Sequence, residues 1–133
     1  MTVLNLTPHA VQVYKAEQFV NLEQVNPTTW VADSVEGSPI AEYESNGVAR
    51  ISTKTTTMPT TILGIEMVRT EYGEATGIPE TATAKDLIIV SLPMQSMAKA
   101  SGHHLVDAMV APYKVVRSRA NGSVVLGCMG FTY

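Results

Sequence analysis

Apolar and polar positions alternate over short stretches broken by proline and glycine, the pattern of a chain built from many short strands. Val3-Leu4-Asn5-Leu6 reads as a strand that stops at Thr7-Pro8, because proline has no N–H to give to a ladder. Val11 and Val13, continued by Phe19-Val20, predict a second strand or hairpin arm. From Asn21 to Gly47 the pattern is poor, with Pro27, Gly37 and Pro39 among serines and glutamates. It predicts a long excursion holding at best a short strand near Trp30-Val31.

Beyond Gly47, Val48 to Thr53 predicts a strand, and hydroxyl residues crowd the stretch from Ser52 to Thr61. β-Branched threonine favours extended chain, while its hydroxyl serves turns or polar ligands. Ile62 to Tyr72 carries Ile62, Leu63, Ile65, Met67 and Val68 and reads as a half-buried strand, with Gly73, Gly77 and Pro79 marking the loop after it.

Asp86-Leu87-Ile88-Ile89-Val90-Ser91 is the strongest strand signal, short and apolar enough to be central. A short helix should follow near 92–101. Pro93 suits a first helical turn, Met94, Met97 and Ala98 form an apolar stripe, and Gly102 supplies the stop. The chain closes on two β-prone runs, Lys114 to Ala120 and Ser123 to Cys128, around Asn121-Gly122. Asn-Gly favours a type I′ hairpin turn, in which both residues take positive φ. That turn sets Arg119 opposite Val124, Arg117 opposite Leu126 and Val115 opposite Cys128. The prediction is an α+β fold: a mainly antiparallel sheet or partial barrel of about six to eight strands with one short helix.

Length and composition narrow the function. The 133 residues fit a single domain spanning 1–133. Charged residues make up 16%, below the quarter or so usual for a monomer, so a homo-oligomer, dimer or higher, is expected. The net charge of −3 lacks the basic excess that polymeric nucleic acid demands. A small phosphorylated ligand needs only one or two placed arginines. The single cysteine, Cys128, excludes an internal disulfide and a cysteine zinc site. The opening Met1 to Asn5 lacks a basic region followed by an apolar core, and Leu87 to Val90 is too short to cross a bilayer. No membrane partner and a cytoplasmic location are therefore expected.

Arg117 and Arg119 are the leading binding candidates. About 7 Å apart on one strand face, they would offer two planar donor forks to a diphosphate. Solvated charges on an exposed hairpin are the alternative. Arg69 shares a face with Met67 and Glu71, where an ion pair with Glu71 worth little is the simpler reading. His103 follows the helix stop and Tyr113 precedes the last hairpin, and both are of types that contact a base. Adjacent His103 and His104 point apart on extended chain, so no metal site is expected. Cys128 reads as a small buried hydrophobe, and no nucleophile elbow, split carboxylate pair or glycine-rich phosphate loop is present. The expectation is a binder without catalytic residues or cofactor; the alternatives are a structural virion or assembly protein and a small hydrolase or lyase.

Two stretches, Leu4-Asn5-Leu6-Thr7-Pro8-His9-Ala10-Val11 and Gly64 to Pro79 (with Val68-Arg69-Thr70-Glu71 inside it), resemble a family of small phage and prophage proteins. The strand Leu87 to Ser91, the segment Val116 to Gly122, Gly127-Cys128 and Phe131 extend the resemblance over nearly the whole chain apart from 21–47. Some of that family are similar to the phage anti-Thoeris sponge, which sequesters cyclic ADP-ribose isomers and, in some relatives, cyclic oligonucleotides. The resemblance implies an oligomer with ligand pockets between subunits and no chemistry on the ligand. It matches Arg69 and Arg117 to the family's arginines. Ser101-Gly102-His103-His104 departs from the family's loop.

Overall fold

In a computed structural model describing residues 2–59 and 63–133, with Tyr72 described by its backbone alone, the strands are short and pair mostly across long sequence distances. In chain order they are β1 (Val3–Asn5), β2 (Val11–Val13), β3 (Phe19–Val20), β4 (Glu23–Asn26), β5 (Thr29–Ala32), β6 (Ser34–Val35) and β7 (Ala41–Tyr43). Then follow β8 (Arg50–Thr57), β9 (Val68–Thr76), β10 (Leu87–Ile89), the helix α1 (Leu92–Ser101), β11 (Met109–Ser118) and β12 (Val125–Thr132). The main sheet holds eight strands in the order β1-β10-β11-β12-β2-β7, with β5 added to β11 and β4 to β5. β7 returns toward β1 through a bridge between Asn5 and Ser45, which nearly closes a barrel. The α+β fold with a partial barrel and one helix is the one the residue pattern predicts, although β1–β10, β10–β11, β11–β5 and β12–β2 pair in parallel.

β10 is central because both of its faces are buried. Leu87 and Ile89 join the apolar cluster of Val11, Val13, Val110 and Cys128 inside the barrel. Ile88 and Val90 join Leu6, Met94, Ala98, Leu105 and Met109 under the helix. This period of two is why the run is apolar throughout. α1 begins at Ser91, whose hydroxyl accepts the Met94 N–H at 3.3 Å, and ends at Gly102 in the left-handed region, with φ 68°. Gln95, fully buried, donates to the carbonyls of Met109 and Thr132 and ties the helix to β11 and β12. A third cluster, of Tyr14, Phe19, Ala32 and Val116, fills the other end. There Gly127 packs so closely that a Cβ would lie 2.6 Å from the Tyr14 ring.

Three readings from the residue pattern are corrected. The excursion at 21–47 contains β4, β5, β6 and β7, too short and exposed to signal themselves locally but held by β11, β2 and β3. The stretch read as a half-buried strand at 62–72 instead contributes β9 to an exposed two-stranded ribbon with β8; Ile62 lies outside the described residues. Leu63, Ile65, Met67 and Val68 are exposed, and Gly73 falls inside β9. The terminal hairpin pairs Val115 with Cys128 as predicted, but neither Asn121 nor Gly122 takes positive φ. The register slips after Val116 so that Arg117 faces Val125, and Ser118 N–H donates to Val124 C=O across a longer loop. The cause is β5: Arg119 N–H donates to Ala32 C=O, which keeps the chain beside β5 instead of letting it turn at once. Asn121 instead caps a turn, its Oδ1 accepting the Ser123 N–H and hydroxyl.

Candidate functional site

β11 creates the site by changing partners. On the edge away from β12 it pairs with β10 at Met109 and Val110, and with β5 from Val116 to Ser118. Between them, from Ala111 to Val115, no described strand occupies that edge. Pro112 suits such a gap because it has no N–H to satisfy. Lys114 is in the left-handed region, φ 51°, a conformation that costs a non-glycine residue about 1 kcal/mol. Its side chain is thereby carried over two rings. The ammonium lies 5.5 Å from the centroid of Trp30 and 5.6 Å from that of Tyr113.

A half-open cavity of about 730 Å³ opens here. Its floor is apolar, formed by Val11, Val115, Leu126 and Cys128, with Trp30, Pro112 and Tyr113 on the wall. The Thr7-Pro8-His9-Ala10 loop lies on one side, Gln24, Pro27 and Thr28 on another, and Ser91-Leu92 at the start of α1 on a third. Lys114 is the formal cation of this lining, and none of the described lining residues is acidic. Gln12 also lines it, with its amide donating to the Glu42 carboxylate at 2.8 Å. Burial pushes the Cys128 thiol up, opposed by a backbone hydrogen bond from Gly130, so the sulfur meets the cavity as an apolar surface.

The loop at 7–10 owes its shape to Asn5, which is fully buried. Asn5 Nδ2 donates to the carbonyls of His9 and Tyr43 at 2.9 and 2.8 Å. Its Oδ1 accepts the Thr7 N–H at 3.1 Å and the Thr7 hydroxyl at 2.6 Å. The Asn-Leu-Thr-Pro-His opening therefore closes the barrel seam and sets one wall of the cavity.

The residues singled out from the pattern are dispersed. Tyr113 is half exposed on the cavity wall. Arg117 lies beyond the floor residue Val115, its guanidinium donating to Gly122 C=O at 3.2 Å beside the lining residues Ser123 and Val125. Arg119 is committed elsewhere: it pairs with Asp33 and Glu23 and donates to Asn21 C=O. Asp33 is held below the usual carboxylate range, first by the Asn21 amide and then by Arg119. Arg69 stands opposite Thr56 on the exposed ribbon, while Lys54, not Arg69, faces Glu71. His103 follows the far end of α1, about 15 Å along the axis from Ser91. There, instead of pointing apart from His104 as on extended chain, it stacks on that ring at 4.6 Å because the chain turns at 104–105, and its Nδ1 accepts the Leu105 N–H at 3.1 Å. Burial, and then the neighbouring His104, lower its pKa below the ordinary histidine value.

Trp30, Lys114 and the 7–10 loop are the site residues that pattern reading missed. One signal was present: Pro112 inside a β-prone run marks an unpaired edge. A comparison with protein families, with curated proteins and with solved structures finds no match to this chain.

Proposed function

We propose that the protein is a binder that captures a small nucleotide-type signal and holds it without degrading it. One observation carries this reading: a cavity of about 730 Å³ with an apolar floor and a lysine ammonium held over an aromatic ring of its lining. Its volume falls in the range of sites that enclose a whole small ligand, with a few polar groups fixing orientation. Arg117, whose guanidinium donates to Gly122 C=O beside the lining residue Ser123, adds a planar donor fork of the kind phosphates accept. The resemblance to the phage sponge family names the ligand class, cyclic ADP-ribose isomers and cyclic oligonucleotides, and with it a role in the cytoplasm of an infected cell. Among the described residues no helix is long and apolar enough to cross a membrane.

The same proposal includes a homo-oligomer. Thr53, Thr55, Thr57, Val68 and Thr70 share one face of the β8–β9 ribbon, and all are exposed, with the Glu66 carboxylate accepting from the Thr57 hydroxyl at its end. A two-stranded ribbon is marginal in water until another layer covers it. Calorimetry of the purified protein with each cyclic signal, and native mass spectrometry for subunit count and retained ligand, test both parts. Absence of heat for every signal ends the sequestration reading. Ligand recovered intact after heat-denaturing the complex supports a sponge, whereas a product in its place makes the protein a hydrolase or lyase. The exposed ribbon also favours a structural virion or assembly protein; the chain in purified particles, without affinity for any signal, would establish that role instead.

A further inference from the structure

Lys114 is the one described residue with a left-handed backbone inside a strand, and its ammonium occupies the space against the two large aromatic rings of the cavity. We propose that this ammonium is a placeholder for the ligand. A planar ring takes its position against Trp30 and Tyr113, and the displaced ammonium pairs with an anionic group on the same molecule. The chemical class is an aromatic ring carrying a phosphate or similar anion close by. This rests on the cavity being the ligand site, and it adds which atoms recognise the ligand.

Three observations carry it. The rings of Trp30 and Tyr113 both face the cavity and already hold a cation over their faces, so they are accessible to a π-ligand. Tyr113 is half exposed and Lys114 is exposed, so little packing opposes movement of the lysine. The chain carries a net charge of −3, yet the described lining contains a lysine and no carboxylate, which selects for an anion locally against the overall charge. Glycine would adopt the backbone at Lys114 without strain. A lysine held there at a cost is explained by what its ammonium does.

Trp30 is the only tryptophan, so its emission reports this wall alone. The probes are ADP, which has ring and anion, adenosine, which has the ring alone, and pyrophosphate, which has the anion alone. ADP is expected to change Trp30 emission saturably and to bind more tightly than either fragment. Lys114→Gly removes the ammonium and relaxes the backbone, so its thermal stability should equal or exceed the parent's while ADP affinity falls roughly tenfold or more; adenosine affinity should hold or rise, because no ammonium then has to leave the rings. Lys114→Arg should retain ADP binding. Trp30→Phe should weaken ADP and adenosine alike by calorimetry. Equal ADP affinity for the parent and Lys114→Gly would overturn the role of the ammonium. ADP heat without any Trp30 response, unchanged in Trp30→Phe, would overturn the ring position while leaving a nucleotide binder. ADP failing by both readouts, while a cyclic signal still gives heat, would overturn this recognition mode and keep the sequestration reading.

Discussion

Replacing Asn5 by alanine should cost far more than its small size suggests. Its amide donates to His9 C=O and Tyr43 C=O in part-buried bonds and accepts from the Thr7 N–H and hydroxyl in buried ones, the Asn5 side chain itself being fully buried. At a net value near 1 kcal/mol for each hydrogen bond, four are at stake. The Thr7 hydroxyl can still donate to His9 C=O, at 2.9 Å, which recovers one of them. The Thr7 N–H and Tyr43 C=O are left without their partner, so the expected loss is about 3 kcal/mol. For a chain of this length that lowers the thermal midpoint by about 10 °C. Urea unfolding followed by far-ultraviolet circular dichroism measures it. Asn46→Ala is the control, because it removes one bond, from Asn5 N–H to an exposed side chain, and should cost less than about 1 kcal/mol. Asn5→Asp adds a sign test. Its carboxylate would be buried facing two carbonyls, which raises its pKa in the fold. The penalty is then absent below about pH 3.9 and grows as pH rises toward the folded value. Asn5→Asp should gain stability relative to Asn5→Ala on acidification from pH 7 to 4. An Asn5→Ala variant within about 1 kcal/mol of the parent would refute the role given to the seam.

Gly127→Ala should cost about 1–3 kcal/mol by forcing a Cβ against the Tyr14 ring, which packs edge-on to Phe19 at 5.7 Å; an unchanged urea midpoint would refute it. The depressed pKa of Asp33 means its contribution to stability is complete above the unfolded carboxyl value, about 3.9, and is lost as pH falls through the folded value. Asn21→Ala and Arg119→Gln should each raise the Asp33 titration followed by NMR, and a curve that stays in place would contradict the assigned causes. The lowered pKa of His103 works in the same sense, favouring the fold above the unfolded value near 6.5 and losing that advantage as pH falls. Proton titration of its ring should show a midpoint below 6.5, and one at or above it would be inconsistent with the buried environment. Cys128 should resist thiol reagents in the native protein and react on unfolding in urea; rapid native labelling would disprove its burial.

Some of this protein was legible from neighbouring residues alone. The apolar run at Leu87 to Val90, the Pro93 start and the Gly102 stop all rest on signals within about ten residues. Those signals set the β-rich class, the central strand and the single helix. Tertiary pairing decided the rest. Whether Asn121-Gly122 makes a tight turn depended on β5, nearly ninety residues earlier in the chain, holding Arg119 to Ala32. Which arginine is available for binding followed from the same contact, since it carries Arg119 to Asp33 and Glu23 while Arg117 remains beside the rim. The cavity exists because β10 and β5 leave one edge of β11 uncovered between them, a matter of long-range strand pairing. Periodicity records which face of a strand is buried, but it carries no record of which distant strand will cover its edge.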